Sequence, residues 1–506
     1  MVELSNETEE TLDKGMNAPV TASMLYDLVA CPHRVTMDLF GDPAKRDEPN
    51  PFVQLLWEKG SIFENEVIEG LEIPFLDLSH YAGDEKEQLT LEAIERGEPL
   101  IYSARIQAEG LLGDPDLLRK EGAGYVAGDI KSGAGEEGPE DLSKPKKHYA
   151  VQVGLYTDIL ERKGISAGRR AFIWDVHGDE VIYDFTEVYG KRNPRTLWQD
   201  YEECLAEAQA IVEDSELTLP AYGGVCKLCH WYSACLDRLS KDDDLTLIPE
   251  LGRSKRDGMR TDLPTVHALA NVDPENFIMG KKTAFPGIGP DTLVRFHERA
   301  VLQTTKGAKP ILRAPVQLPA HDLELFFDIE VDPMRDICYL HGFVERRGQD
   351  NATEKFIPFF AEEPTPEAEK KAFADAWNYL QNSRPCSIYY YSKYERTIYR
   401  KLQKKYEDIC TRDEIEELFD PSDAVDLYND VVKKATEWPT RDFSIKTLAK
   451  FLGFAWRDTH PSGAASIEWF DRWVKTGDKA IRQRILDYNE DDCIATRVLL
   501  DGIRSL

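Results

Sequence analysis

Residues 111–133, LLGDPDLLRKEGAGYVAGDIKSG, contain the pattern that decides the fold of the first part of the chain. Gly113-x-x-Asp116 at the end of one strand and Asp129-x-Lys131 on the next predict a β-hairpin. Residues i and i+2 of a strand share one face, which places Asp129 and Lys131 side by side. Asp116 and Asp129 could then bind Mg²⁺ or Mn²⁺, and Lys131 could orient or polarise the attacking water.

Two further motifs accompany this pair of carboxylates. HYAVQVGLYTDIL places Gln152 and Tyr156 one helical turn apart, and Lys59-Gly60-x-x-x-Glu64 lies on a predicted helix upstream. A D-x-K alone is also typical of a solvated hairpin. The ordered set of G-x-x-x-E, G-x-x-D, D-x-K and Q-x-x-x-Y, however, closely resembles the RecB-family PD-(D/E)XK nucleases.

This resemblance implies an α/β fold of the restriction-endonuclease-like kind and a role for each matched residue. Asp116 and Asp129 would ligate the divalent metal, and Lys131 would be catalytic. Gln152 and Tyr156 would support the site and its contacts with DNA.

Two nearby acidic residues complete the expected metal site or compete for it. Glu64 stands where many members of that superfamily have a histidine ligand, so the resemblance implies a carboxylate ligand at this position. Asp114 is an alternative to Asp116, although the G-x-x-D spacing favours Asp116. We therefore expect Glu64, Asp116 and Asp129 to surround one cation.

The cysteines predict a second kind of site. The chain has nine, and an odd number in a chain without a secretory signal argues for metal ligation or free thiols rather than disulfides. Cys226, Cys229 and Cys235 form a C-x₂-C-x₅-C group, and Cys31 lies far upstream in Ala-Cys-Pro-His-Arg. Zinc in a four-thiolate site is the first generic interpretation.

The same arrangement resembles the iron–sulfur nucleases. These include the CRISPR-associated adaptation nuclease, the AddB-type repair subunit and the eukaryotic replication helicase–nuclease, in which one cysteine precedes the nuclease core and three follow it. The resemblance therefore favours a 4Fe–4S cluster over zinc. The cluster would hold the two ends of the domain together through Cys31, Cys226, Cys229 and Cys235.

The last part of the chain carries another acidic pattern. FFDIEVDP places Asp328 and Glu330 on one face of a strand, and LDYNEDDCIATRVLL places Tyr488 and Asp492 one helical turn apart. This combination resembles the DEDD exonucleases of the ribonuclease-H-like fold. The resemblance implies that carboxylates hold two divalent ions, that Tyr488 helps to orient the water, and that digestion starts from a 3′ end.

The middle motif of that family is altered in this chain. SIYYYSKYERTIYRKL has Tyr394-Glu395 where these families usually have an aromatic residue followed by Asp. Glu395 would then serve as a metal ligand with a longer side chain. Asp426, in DAVDLYNDVVKK, would lie near the site at best, and SIKTLAKFLGF at 444–454 resembles a helix of the family or is ordinary core.

The segment between these two α/β regions contains short helical pieces around glycines. LIPELGRSKRDGM and FPGIGPDTLVRFHERA resemble helix–hairpin–helix modules, which bind the DNA backbone through amides, and a plain helical linker is the alternative. The sequence thus predicts a flexible tail, a RecB-like nuclease domain, a linker and a ribonuclease-H-like domain over residues 1–18, 19–245, 246–318 and 319–506.

The overall composition narrows the function. A net charge of −30 argues against a nucleic-acid coat protein, because phosphate contacts need Lys and Arg, but it suits carboxylate metal sites. There is no apolar run that would predict a membrane span, and the acidic, polar N-terminus is unlike a signal peptide. We therefore expect a cytoplasmic protein.

These patterns together predict a metal-dependent nuclease that processes DNA ends or single strands in repair, recombination or mobile-element defence. One alternative is a single active domain beside a second domain that only grips nucleic acid. Another is a non-catalytic iron–sulfur adaptor that recruits a helicase. Some relatives carry this module fused to a superfamily 1 helicase, which makes such a helicase the expected partner, although this chain has no P-loop motif itself.

Overall fold

The computed structural model describes residues 18–138, 143–190 and 193–506, so the predicted tail lies, except for its last residue, outside the described residues. The chain forms two compact units, Met1–Arg238 and Leu239–Leu506. The predicted linker therefore belongs to the same unit as the ribonuclease-H-like region. Across the described part of the chain, no helix is long and apolar enough to cross a membrane.

The first unit is an α/β structure. Its helices are α1 (Ala22–Ala30), α2 (Pro32–Phe40), α3 (Pro51–Glu69), α4 (Gly83–Arg96), α5 (Lys147–Arg162) and α6 (Leu197–Glu213), and α7 (Tyr232–Lys241) leads into the second unit. Its strands are β1 (Val20–Thr21), β2 (Leu76–Asp77), β3 (Leu100–Tyr102), β4 (Ile106–Ala108), β5 (Leu111–Gly113), β6 (Leu117–Glu121), β7 (Gly124–Ile130), β8 (Glu136–Glu137), β9 (Lys144–Pro145), β10 (Arg170–Trp174), β11 (Glu180–Asp184), β12 (Val188–Tyr189) and β13 (Arg195–Thr196).

The main sheet of this unit positions the predicted metal site. Within the described residues it has six strands, in the order β11-β10-β7-β6-β3-β2. β7, GYVAGDI, is buried along its whole length, which accounts for its apolar sequence. β6 and β7 form the predicted antiparallel hairpin, and because Leu117 pairs with Gly128, Asp116 lies opposite Asp129.

The apolar residues of TASMLYDLVACPHRVTMDLF, residues 21–40, recur at helical spacing and predict a single helix, and this prediction is wrong because the structure has two helices there. Cys31 separates α1 from α2 and is extended, with φ −163° and ψ 109°. Pro32 causes the break, since proline lacks an N–H donor and disfavours the helical conformation of the preceding residue. The break leaves the Cys31 thiol at a helix junction instead of on a continuous helical face.

The second unit is also α/β. Its helices are α8 (Arg253–Met259), α9 (Val266–Ala270), α10 (Pro290–Thr304), α11 (Pro366–Asn382), α12 (Tyr394–Lys405), α13 (Arg412–Leu418), α14 (Lys433–Ala435), α15 (Ile445–Phe451), α16 (Gly463–Thr476) and α17 (Lys479–Arg504). Its strands are β14 (Ile278–Met279), β15 (Lys282–Thr283), β16 (Ile311–Leu312), β17 (Leu323–Asp332), β18 (Ile337–Arg347), β19 (Asp350–Phe360), β20 (Ser387–Tyr390), β21 (Ala424–Asp426) and β22 (Thr436–Glu437).

The sheet of the second unit brings the predicted acidic motifs together. In the described residues its five strands run in the order β19-β18-β17-β20-β21, with β17 antiparallel to β18 and parallel to β20. Asp328 on β17 pairs with Gly342 on β18. A Cβ at Gly342 would lie 1.6 Å from the Asn489 Oδ1 on α17, so glycine is required for this helix to approach the sheet.

The segment that carries the glycine turns is fixed to the rest of the second unit. Its helices share an apolar core that includes Leu251, Leu293 and Phe296. The Arg299 guanidinium lies 2.6 Å from the Glu437 carboxylate, and these side chains are 1% and 0% exposed. Removing one partner of such a buried pair would leave an uncompensated charge, so the pair sets how this segment packs.

Candidate active sites

The first site lies where β6 begins and β7 ends. The Ile130 backbone N–H donates to the Asp116 Oδ2 at 2.8 Å, and the Asp116 N–H donates to the Asp129 Oδ1 at 3.3 Å. The Lys131 Nζ lies 2.8 Å from the Asp129 Oδ2. The hairpin therefore brings the two predicted carboxylates and the predicted lysine into one group.

The two carboxylates of this group repel each other, and each attracts the lysine. Burial, together with the neighbouring Asp129 carboxylate, raises the pKa of Asp116 well above its usual range. Burial by itself would lower the pKa of Lys131, but Asp129 and Asp116 outweigh it and raise that pKa, so the side chain stays cationic. Two crowded carboxylates with one ammonium leave a net negative charge that a divalent cation would offset.

Glu64 faces the same site, and Asp114 does not. The Tyr102 hydroxyl donates to the Glu64 Oε1 at 2.9 Å, and the charge of Glu64 contributes to the raised pKa of Asp116. Asp114 is half exposed and pairs with Arg105 at 3.0 Å. The geometry therefore favours Asp116 over Asp114 at the metal.

Gln152 and Tyr156 lie on α5, behind the carboxylates. The Tyr156 hydroxyl donates to the Asp114 backbone oxygen at 3.3 Å, and the side chain is 2% exposed. A Cβ at Gly113 would lie 2.5 Å from the Tyr156 ring, which explains the glycine of the G-x-x-D motif. The Gln152 Oε1 is buried and, within the described part of the chain, accepts no hydrogen bond. These positions suit a supporting role, in which Tyr156 holds the chain that leads to Asp116.

The four predicted cysteine ligands line one cavity, together with side chains that include Pro220 and Trp231. All four are partly buried. Burial, and then the other three cysteines, raise the pKa of Cys235 to about 12. The thiols are thus close enough to oppose one another's ionisation, and a cationic centre would be needed to hold them as thiolates. This donor set fits a four-thiolate metal group.

Polar contacts beside the cavity already join the two ends of the first unit. Asp38 on α2 accepts a hydrogen bond at 2.9 Å from the Trp231 indole N–H, and the same oxygen lies 2.7 Å from the His230 Nε2. A cluster bound by Cys31 and the three later cysteines would tie the same two regions. The predicted cluster and these contacts would therefore connect the same two regions of the first unit.

The second site forms where α17 crosses β17. Asp328, Glu330 and Asp492 each offer a carboxylate oxygen, and these atoms lie within 4.8 Å of one another. Asp328 and Glu330 share a strand face, as predicted from their spacing, and Glu330 and Asp492 are buried. Oxygen ligands at this separation could bind one hard cation.

Three residues that the sequence reasoning missed complete this site. The Asn489 Nδ2 donates to the Asp328 Oδ2 at 2.7 Å, and the Trp456 indole N–H donates to an Asp492 oxygen at 2.7 Å. The Lys446 Nζ lies 2.8 Å from the Tyr488 hydroxyl and 3.4 Å from both Asp492 oxygens. Asn489 could have been found from its place between Tyr488 and Asp492, whereas Lys446 and Trp456 come from separate segments without a pattern of their own.

Burial and crowding also raise the carboxyl pKa values here. The pKa of Glu330 is raised to about 8 by burial and by the charge of Asp492. Burial and Asp492 likewise raise the pKa of Asp328 well above its usual range. Without a metal ion, ionising these groups as the pH rises would cost folding free energy, and a divalent cation would offset that cost.

We expect the divalent-ion affinity of the second site to rise with pH up to about 8 and then to level off. The proton on Glu330 must leave before the carboxylate can ligate, so each pH unit below about 8 would weaken binding up to about tenfold. The measurement is Mn²⁺ titration calorimetry from about pH 6 to about pH 9 in a chain carrying Asp116→Ala and Asp129→Ala, which removes the first site. A pH-independent affinity would contradict this expectation.

Glu395 lies apart from the three clustered carboxylates. It is 3% exposed, its Oε2 accepts no hydrogen bond from the residues that the structure describes, and burial raises its pKa to about 8. Its charge raises the pKa of Asp328, so it faces the site, but it is not among the residues within 4.8 Å.

Asp426 accepts hydrogen bonds from the Asn429 and Ser392 backbone N–H groups, at 2.8 and 3.2 Å, and so caps the π-helix Leu427–Val432.

Comparison with known protein families agrees with this division of the chain. Residues 54–236 match the PD-(D/E)XK nuclease superfamily, and residues 325–503 match the RNase H superfamily. No curated protein matches the chain. Each match spans the carboxylates of one site, so the chain is a metal-dependent nuclease in which a PD-(D/E)XK nuclease superfamily domain is joined to an RNase H superfamily domain.

Proposed function

We propose that this nuclease processes DNA ends or single strands with two independent active sites. The observation that carries the proposal is that, in each domain, carboxylates from distant motifs converge with a lysine beside them. The test is digestion of strands labelled at the 5′ or the 3′ end, single and double, with Mg²⁺ and with Mn²⁺. The motif order suits repair, recombination or mobile-element defence, with a superfamily 1 helicase as a candidate partner.

In the first site, Asp116, Asp129 and Glu64 would hold the divalent ion. When bound, the ion would polarise the scissile phosphate and stabilise the charge that develops on it. Lys131 is held at 2.8 Å from the Asp129 carboxylate and stays cationic, so it can orient the attacking water and stabilise charge on a phosphate oxygen. Tyr156 and Gln152 keep the hairpin in place.

In the second site, Asp328, Glu330 and Asp492 would hold a divalent ion with the same electrostatic role. Asn489 and Trp456 donate to two of these carboxylates and so fix their orientation. The Tyr488 hydroxyl, held by Lys446, is placed to orient the attacking water. The resemblance to 3′-end exonucleases supports a 3′-to-5′ direction for this site.

Lys446→Met should lower kcat of the second site by about 10- to 1000-fold, because the variant loses a cation aimed at Tyr488 and Asp492. The same change should tighten Mn²⁺ binding, since the ammonium and the metal ion compete for the Asp492 carboxylate. The measurements are single-turnover digestion and Mn²⁺ titration in the Asp116→Ala background. Lys446→Arg should recover part of kcat, and a variant with weaker metal binding would contradict the assigned role.

We also propose that Cys31, Cys226, Cys229 and Cys235 hold a 4Fe–4S cluster with a structural role. The support is that all four thiols line one cavity and that the residues around it join the start and end of the unit. A zinc ion in the same cavity is the competing assignment, and metal analysis of anaerobically purified protein separates the two.

A single active domain is the second candidate. Glu395 is not among the carboxylates whose oxygens lie within 4.8 Å of one another, and if it does not reach a second ion, the RNase H-like site would bind that ion weakly. The second unit would then grip nucleic acid. We propose the glycine turn at 285–289, with Gly287 at φ +74°, as a backbone contact for phosphate in either case.

A further inference from the structure

Three rings form a cluster beside Lys131. The Tyr26 ring lies edge-on to His148 with centroids 4.9 Å apart, and His148 lies edge-on to Tyr149 at 4.4 Å. The Tyr149 ring centroid is 5.9 Å from the Lys131 Nζ and 5.4 Å from the Lys146 Nζ. Tyr26 is 37% exposed, so the cluster reaches the surface next to the first site.

Helix α3 presents another ring near the same site. Trp57 is 61% exposed and precedes Glu64 by seven residues. It therefore lies within about 20° of Glu64 around the helix and about 10 Å from it along the axis. Between them, a Cβ built on Gly60 would lie 3.9 Å from the Ser132 Oγ, so this turn of the helix faces the strand end that follows Lys131.

Tyr26 and Trp57 are exposed, whereas the Tyr149 ring is partly buried against the hydrophobic core. A Cβ on Gly60 would make only ordinary van der Waals contact, so the fold does not require glycine there. The missing side chain leaves room for a nucleic-acid strand to approach the helix backbone closely. One exposed ring is ordinary on a protein surface, but here one exposed ring, Tyr26, belongs to the cluster beside Lys131, and a second, Trp57, lies on the helix that carries Glu64. Burial and the charge of Lys146 lower the pKa of His148, which keeps this ring uncharged near neutral pH.

We propose that Trp57, on the helix that carries Glu64, and Tyr26 with Tyr149, beside Lys131, stack against unpaired bases. Aromatic faces beside lysines recognise single-stranded nucleic acid without sequence preference, because every base offers a flat face and every phosphate a charge. Paired bases inside a duplex are already stacked and cannot reach the rings. The first site therefore selects unpaired strands, and this inference rests on the proposed nuclease function of that site.

The test compares a normal single-stranded oligodeoxynucleotide with one that carries abasic positions near the cleavage point. The chain carries Asp328→Ala and Asp492→Ala, so that only the first site cuts. Trp57→Ala and Tyr26→Ala should each raise KM for the normal strand roughly 5- to 150-fold with little change in kcat. Neither substitution should raise KM for a strand whose abasic position falls opposite the missing ring, because no base is present there to stack.

Two matched variants control for folding and exposure. Trp57→Phe keeps a ring and should restore most of the affinity, whereas Val188→Ala removes an equally exposed side chain, also 61% exposed, and should change nothing. Equal losses on normal and abasic strands, or equal cutting of blunt duplex and single strands, would overturn the proposal. Binding of single strands by the Asp116→Ala chain, measured by fluorescence anisotropy, separates the stacking proposal from the proposed nuclease function. If binding depends on the bases but the parent chain cleaves nothing, the proposed nuclease function is refuted and the stacking proposal stands.

Discussion

Asp116→Ala and the double change Asp328→Ala/Asp492→Ala are expected to remove different parts of the digestion pattern. The first change deletes one carboxylate and the second deletes two, each from one of two centres built by separate folds, and losing metal ligands should lower the rate at that centre on the order of 1000-fold. The double change should abolish digestion from the 3′ end. Asp116→Ala should abolish the remaining cleavage. The measurement is the product ladder from 5′- and 3′-labelled strands under Mg²⁺ and Mn²⁺.

The chain offers a matched acidic control for each site. Asp114 lies two residues before Asp116 but pairs with Arg105, so Asp114→Ala should keep nearly full activity. Asp491 lies beside Asp492 but accepts from Arg457 at 2.9 Å, so Asp491→Asn should spare catalysis at the second site. These controls separate the loss of a metal ligand from the loss of a neighbouring acidic charge.

One result would reduce the chain to a single working site. If Asp116→Ala alone removes all cleavage with both metals, the RNase H domain is a binding module and the separation of Glu395 from the other carboxylates is the reason. If the double change at Asp328 and Asp492 leaves digestion from the 3′ end intact, the direction assigned to the second site is wrong.

Cys229→Ser should destabilise the first unit far more than the second. The cluster would link the α1–α2 junction to the turn at Gly224–Leu228 and to α7, so the free energy of cluster binding would be folding free energy for this unit. Protein purified without oxygen should be brown, with about four irons per chain, and the variant should lose them. Hydrogen exchange would show the loss of protection in residues 18–238, with 239–506 largely unchanged.

Cys204→Ser is the matched control for this change. Cys204 is a buried thiol of the same unit, on α6, and it does not line the cavity. The control should lose some packing free energy and keep its iron. Stoichiometric zinc without iron in anaerobic protein would contradict the cluster, and equal destabilisation of both units would contradict its local role.

The sequence by itself determined one close pair of charged residues in each site and the class of each domain. Asp129 with Lys131, and Asp328 with Glu330, are two residues apart in strands, and the side-chain period of a strand places each pair on one face wherever the strand packs. The hairpin register then follows from a short connection. The helix break at Cys31 also follows from local sequence, because Pro32 disfavours a continuous helix. The apolar spacing of residues 21–40 nevertheless predicted a single helix.

The tertiary structure decided which other residues enter each site. Lys446 and Trp456 reach Asp492 only because α15 and the chain after it pack against α17, and no local pattern records that approach. Glu395 on α12 is not among the three carboxylates within 4.8 Å of one another, although its charge acts on Asp328, so its place at a metal stays a prediction. The glycine-turn segment joins the second unit through the buried Arg299–Glu437 pair. Backbone geometry fixes neighbours that are a few residues apart, whereas distances between elements depend on how a whole core packs, which single motifs do not encode.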